Sequence, residues 1–405
     1  MNDLDGRTRI RHWIVGLQGE GRGKALLAIA SSSFLLIGVQ MIYPVLLPEL
    51  RSTYGLGLGT AGLLLSVLWL ANAAGQVPGG VLADRIGEGR TLVVSTVLSA
   101  LAVVFIATVE SVVALFALTT LLGLGIALFG VARYTILEDL FPERVGTTVG
   151  IVLAAADAGQ ALLPPLAGIL AAVVFWQLGF VYTLPLFALV AVALWAYVPA
   201  STSTGSDDGH RTFSRENGRH ISRNLRQRPI LYGSGAFIVY VTIWITFTGF
   251  YPTYLIEIKG LSPTAAGVLF GSFFAVGVAI KPLSGIAYDR FGIRLTILVI
   301  AGISGVSLLT LPLVEGIAPL ALITVCIAPI LGGGTITQSH LIEFLASDIK
   351  GTGLGIIRTG GMTVAALSPA VFGAFADRGL FDEVFLSLAV FAGVMILCVL
   401  RIPSA

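Results

Sequence analysis

The chain alternates long, unbroken apolar runs with short polar ones. Within a run such as Leu186–Tyr197 no polar residue interrupts the apolar ones. A transmembrane barrel would alternate apolar and polar residues with period two, so the runs predict helices. A spanning helix takes ~20 apolar residues. On that measure spans are expected near 26–50, 60–83, 91–109, 112–136, 147–173, 178–198, 230–255, 262–285, 295–313, 317–342, 353–375 and 381–401. One stretch between them is plainly polar. Residues 201–228 hold Arg211, Arg215, Arg219, Arg223, Arg226 and Arg228, with Asp207, Asp208, Glu216 and Asn217. The expected organisation is a polar segment 1–24, a six-helix bundle 25–200, an Arg-rich linker 201–228 and a second six-helix bundle 229–405.

Composition narrows the class. Of 405 residues 56% are hydrophobic and 11% charged, whereas a soluble domain carries about 25% charge. An ordinary globular enzyme is excluded, and so is disorder, which needs low hydrophobicity and high net charge. A net charge of +2 gives no bulk field for nucleic acid. Cys326 and Cys398 both lie in apolar runs, so no disulfide framework, metal cluster or cofactor is expected. Met1–Lys24 has no signal-peptide core, and the apolar run after it is too long for one. With the N-terminus placed in the cytoplasm, eighteen of the 24 Lys and Arg fall on that side. Three (Arg51, Lys259 and Arg378) fall on the other, and Arg133, Lys281 and Arg358 lie within spans. The positive-inside rule then puts both termini and the linker in the cytoplasm of a multi-pass cell-membrane protein.

The chain also repeats itself. At an offset of about 205 residues, Gly80, Asp84, Arg85 and Gly87 fall on Gly285, Asp289, Arg290 and Gly292. Glu138 falls on Glu343, and Gly146, Thr147 and Gly150 on Gly351, Thr352 and Gly355. Tyr43 and Pro44 fall on Tyr251 and Pro252 after a three-residue adjustment. Parallel repeats of this kind place a substrate site between the halves, near the bilayer midplane.

At these residues the chain resembles the major facilitator superfamily, whose loop between helices 2 and 3 reads roughly G-x-L-A-D-R-x-G-R-K. Here the loop is Gly80-Val81-Leu82-Ala83-Asp84-Arg85-Ile86-Gly87-Glu88-Gly89-Arg90, with a second copy from Gly285 to Arg294. The resemblance implies an all-α fold of twelve transmembrane helices, secondary transport of a small molecule, possible proton coupling, and function as a monomer in the bilayer. It also implies a gate. Asp84 and Asp289 would face helix ends across the seam between the halves, Arg85 and Arg90 would pair with Glu138 or Asp139, and Arg290 and Arg294 with Glu343. Two departures count against proton-coupled drug antiporters. Thr119 stands where the helix-4 motif has arginine, and the helix-5 G-P-x-x-G-G core is missing.

Charges inside spans cost roughly 2.5–3.5 kcal/mol by insertion scales and usually serve a purpose. Lys281 lies about 12 Å inside the cytoplasmic edge and Arg358 about 10 Å, at 1.5 Å per residue. In the family's packing, Asp157 on helix 5 would reach Lys281 on helix 8, as a static or a switchable pair. Arg358 would face Gln76, which is the repeat equivalent of Lys281. Arg133 is expected to pair locally with Glu138 or to snorkel, and His340 to sit hydrogen-bonded at a cytoplasmic helix end rather than to relay protons. Helices 1, 4, 7 and 10 line the cavity in this family, which makes Gln40, Tyr43, Tyr251 and Gln338 substrate candidates beside Lys281, Arg358 and Gln76. Two mid-membrane cations against one acid suit an organic anion such as a carboxylate. Drug efflux by proton exchange and a non-transporting sensor are the other readings.

Overall fold

The computed structural model describes residues 21–201, 223–346 and 349–402. The arginines at 211, 215 and 219 fall outside those residues. Eleven helices among the described residues are long and apolar enough to cross a membrane. They are α1 (Arg22–Tyr54), α2 (Leu58–Ile86), α3 (Glu88–Thr108), α4 (Val112–Leu140), α5 (Val145–Val173), α6 (Leu178–Tyr197), α7 (Arg228–Glu257), a long rod Pro263–Leu313, α10 (Ile317–Phe344), α11 (Lys350–Ala376) and α12 (Phe381–Leu400). The rod is two spans. At Gly292 the backbone leaves the helix, with φ 71° and ψ 174°, which separates α8 (263–291) from α9 (293–310).

That break repeats. Gly87, between α2 and α3, has φ 94° and ψ 151°. Positive φ of this kind is open to glycine and costly for residues with a Cβ. The two motif glycines therefore turn the chain at equivalent places in the two halves, and each lets one apolar helix hand over to the next without a loop.

Packing repeats as well. α2 lies on α4 and α1 on α5, while α3 packs on α4 and α6. In the second half, α7 packs on α10, α11 and α12. The Ser304 hydroxyl on α9 donates to the Ile327 carbonyl on α10. Tyr43 and Thr119 hydroxyls meet at 2.6 Å between α1 and α4. Their repeat equivalents Tyr251 and Thr324 join α7 to α10 in the same way. Each threonine also donates to the carbonyl four residues before it, so the pair closes two buried polar groups where no water can.

The outer surface carries Trp195, Leu322, Val390 and Leu397 exposed. A soluble protein would leave such an apolar band an aggregation hazard; hydrocarbon makes it the favoured outside. The buried interior holds instead many small polar side chains, among them Ser32, Thr96 and Thr148, bonded to each other or to helix carbonyls.

The halves meet along α2–α11, α5–α8 and α1–α7. At the end away from the motif loops the contacts are tight. A Cβ on Gly62 would stand 2.0 Å from the Pro369 carbonyl oxygen, and one on Gly271 2.5 Å from that of Ala161. Arg51 on α1 forms an ion pair with Glu257 on α7. Asp377, capping the end of α11, accepts the backbone N–H groups of Leu58 and Gly59 at the start of α2. Near the motif loops the seam is open. A Cβ on Gly146, Gly150, Gly285, Gly351 or Gly355 would meet nothing within 4 Å.

Candidate functional site

Between the halves lies a cavity of about 600 Å³. Trp69 on α2 and Trp244 on α7 close it on the side of the tight seam, with rings 5.0 Å apart at 68°. From there the cavity faces the open end of the seam.

Proline shapes the lining. Pro44 has no N–H to give the Gln40 carbonyl four residues back, and α1 breaks at Met41, whose N–H turns to Gly38. Gln40 lines the cavity at that break and is 3% exposed as a residue. Its Nε2 has no hydrogen-bond partner among the described residues. In α10 a 3-10 turn, Ala328–Leu331, precedes the helix segment that brings Thr335 and Gln338 to the cavity.

Lys281 and Asp157 meet across the α5–α8 seam, Nζ to Oδ1 at 2.5 Å. The aspartate side chain is 14% exposed and the lysine 31%. Gln160, one turn beyond Asp157, donates to the same carboxylate oxygen at 3.3 Å. Arg358 on α11 lines the cavity with no hydrogen bond or ion pair among the described residues. Gln76 faces the same space without a bond to Arg358.

Arg133 departs from expectation. It forms no pair with Glu138. It points into the cavity, donates to the Tyr134 hydroxyl at 2.9 Å and to Ser33 at 3.5 Å, and lies over the Phe129 and Tyr134 rings. The rings hold the guanidinium by cation–π attraction, so the helix keeps it inward. Arg133 and Gln338 are repeat equivalents, and both line the cavity.

Tyr43 and Tyr251 do not line it. Both are fully buried in the α1–α4 and α7–α10 clamps, and Tyr43 stands edge-on to Phe180 at 5.3 Å. His340 is also away from the cavity, bonded by Nε2 to the Pro229 carbonyl at 3.2 Å and packed on Phe344.

Among the described residues Arg85 and Arg90 make no ion pair with Glu138, and Arg290 and Arg294 make none with Glu343. Asp84 and Glu138 are exposed and without a partner among the described residues. Glu343 accepts the Tyr288 hydroxyl rather than an arginine. Arg294 donates to the Ile402 carbonyl, and Arg290 lies over Phe291.

Asn72, Gln160, Trp69 and Trp244 also line the cavity and were not singled out from sequence. Spacing carried a signal for two of them. Asn72 precedes Gln76 by four residues and Gln160 follows Asp157 by three, which puts each on its neighbour's helix face. Among the described residues no group of three His, Cys, Asp or Glu is placed to hold a metal.

A family model of the Major Facilitator Superfamily matches residues 29–347. The chain belongs to this superfamily. It is a multi-pass membrane transporter of small solutes and not an enzyme. Among the superfamily's curated proteins, a nitrite extrusion protein of Bacillus subtilis is 24% identical, with 87% of each chain aligned. A probable sulfoacetate transporter, SauU, of Cupriavidus necator is 24% identical over 86% of each. A hexuronate transporter of Bacillus subtilis matches over 55% of this chain and 54% of its own, at 24% identity. Of solved structures, a D-xylose–proton symporter superimposes with a TM-score of 0.75 at 16% identity, covering 94% of this chain and 96% of its own. A bacterial homologue of the human lysosomal transporter Spinster gives 0.71 at 16% identity, covering 95% of each.

Proposed function

We propose that this superfamily member carries a small organic anion, with a carboxylate as the recognised group, across the cell membrane by alternating access. The observation that carries the reading is the unpartnered Arg358 in a cavity where three cations (Arg133, Lys281 and Arg358) face one acid, Asp157. A planar fork of donors with nothing to bind suits a carboxylate's two oxygens. Nitrite, sulfoacetate and hexuronate, named for three relatives, are all anions. A cavity of about 600 Å³ suits an organic solute within the usual range of ligand pockets. Efflux of a hydrophobic cation would need a free acid, and the cavity's one carboxylate already holds Lys281.

Membrane orientation follows from the basic bias. Both termini and the linker 201–228 lie in the cytoplasm, so the open end of the seam faces inward. The bundles 25–200 and 229–405 then rock about the site as a monomer in the bilayer. Substrate leaves toward the motif loops. The return step closes them and opens the Arg51–Glu257 and Asp377 contacts. Asp157, beside Lys281, is the acid placed to take a coupling proton.

Purified protein in liposomes tests the reading. Labelled lactate and succinate should accumulate saturably, with and without a pH gradient showing whether a proton moves too. Arg358→Gln should lower uptake at least about tenfold, and Arg358→Lys should not restore it. Exchange of organic cations without anion uptake would overturn the assignment.

A further inference from the structure

Lys281 and Asp157 neutralise each other at 2.5 Å, which leaves two cations without a counterion. They sit on different halves, Arg133 on α4 and Arg358 on α11. Neither has an acid partner among the described residues. Among the described residues Arg133 is held by the Phe129 and Tyr134 rings and by neutral hydroxyls only, and its Nε has no partner. Beside these, in the first half, Gln40 is 3% exposed and its Nε2 has no hydrogen-bond partner among the described residues. A buried donor left without a bond is destabilising, and an uncompensated charge more so. A cavity built this way is complete only when a ligand supplies acceptors on both sides.

We propose that the substrate carries two acid groups, one received by Arg358 and the other by Arg133, and that Arg133 sets the preference for a dianion over a monoanion. The proposal rests on the anion reading above. Three cations and one carboxylate leave a charge of +2, which a dicarboxylate or a sulfocarboxylate cancels and a monocarboxylate does not. Neither half can satisfy both acids alone. A dianion therefore favours drawing α4 and α11 together around itself, while a monoanion engages one half and leaves the other cation bare. The second acid thus acts on the conformational equilibrium as well as on affinity.

Trp69 and Trp244 in the lining make binding visible by intrinsic fluorescence. Protein in lipid nanodiscs is titrated with succinate and glutarate, and with their one-acid analogues butyrate and valerate, at pH 7.5, where all are ionised. The two diacids should bind about tenfold or more tighter than their analogues, as expected when a missing group strands a buried partner. Arg133→Gln should weaken the diacids by about that factor and leave the monoacids within about twofold, whereas Arg358→Gln should weaken all four. Arg133→Lys, which keeps the charge, should retain the diacid preference. If Arg133→Gln does not fold, the wild-type comparison decides by itself. Monoacids that bind as tightly as diacids, or an Arg133→Gln variant that weakens all four equally, would overturn the two-acid proposal and leave the anion reading standing. Failure of all four to bind would remove both.

Discussion

Single side chains divide the molecule into groups that hold it and groups that face the solute. Tyr43 and Tyr251 belong to the first kind, since each spends its hydroxyl on a threonine inside its own half. Tyr43→Phe and Tyr251→Phe should each cost about 1 kcal/mol of stability and leave substrate affinity unchanged. Thermal unfolding in detergent beside a binding titration checks both. The ion pair of Asp157 and Lys281 calls for a paired test. Lys281→Met alone strands a carboxylate that is 14% exposed. A fully buried pair broken this way loses about 3–5 kcal/mol, and the lysine's partial exposure brings the expected loss below that range. Asp157→Asn combined with Lys281→Met should recover most of the lost stability and keep uptake near wild type without a pH gradient, while removing any part of uptake that a proton drives. Loss of uptake in the double variant would place Lys281 among the solute's ligands. The sequence showed which charges lie at membrane depth, because a charge there stands out against apolar neighbours. It did not show which way Tyr43 or Arg133 points. A helix that is apolar all round carries no stripe to mark its wet side. The choice is made by partners on other helices, Thr119 for the tyrosine and the Phe129 ring for the arginine.

At the level of helices, legibility was higher. Hydrocarbon leaves backbone groups no partner but each other, so an apolar run of sufficient length has one outcome. Helices nonetheless run past the expected limits. α1 spans Arg22–Tyr54 against an expected 26–50, because polar residues at a helix end reach the interface without ending the helix. The breaks at Gly87 and Gly292 were marked by the repeat. Their function as left-handed turns needed the backbone to show it. Close approach is a second property of these helices, and it can be tested. A Cβ on Gly62 stands 2.0 Å from the Pro369 carbonyl oxygen, a collision that only separation of α2 from α11 relieves. Gly62→Ala should therefore disfavour the conformation described and populate one opened at that end. Spin labels at Ser52 and Arg378, both exposed near that end on opposite halves, should move apart relative to the unsubstituted protein. An unchanged distance distribution would show that the seam yields in some other way.

For the whole molecule, orientation is the property that gives the cycle its direction. If the motif loops are cytoplasmic, a cysteine replacing the exposed Glu143 should resist an impermeant thiol reagent in intact cells. One replacing the exposed Glu315, at the opposite end, should react. Reversed labelling would turn the cavity's opening outward. The two ends are held by different chemistry. The far end closes with charges and with helix-terminal amides on Asp377, a carboxylate at the positive end of α2. The near end, open here, leaves Asp84 exposed and without a partner among the described residues.

The clamps of Tyr43 with Thr119 and Tyr251 with Thr324 have a consequence for redesign. What the two halves share is framework: a hydroxyl clamp and a glycine corner, matched position for position. What they do not share is the upholstery of the cavity. Gln76 stands opposite Lys281, Arg133 opposite Gln338, Leu153 opposite Arg358 and Asp157 opposite Met362, and all eight line it. On the anion reading, cargo would be written in the handful of positions where the two copies differ. A carrier for a different solute could be reached by trading residues between the two copies, leaving the joints that make it fold and move untouched.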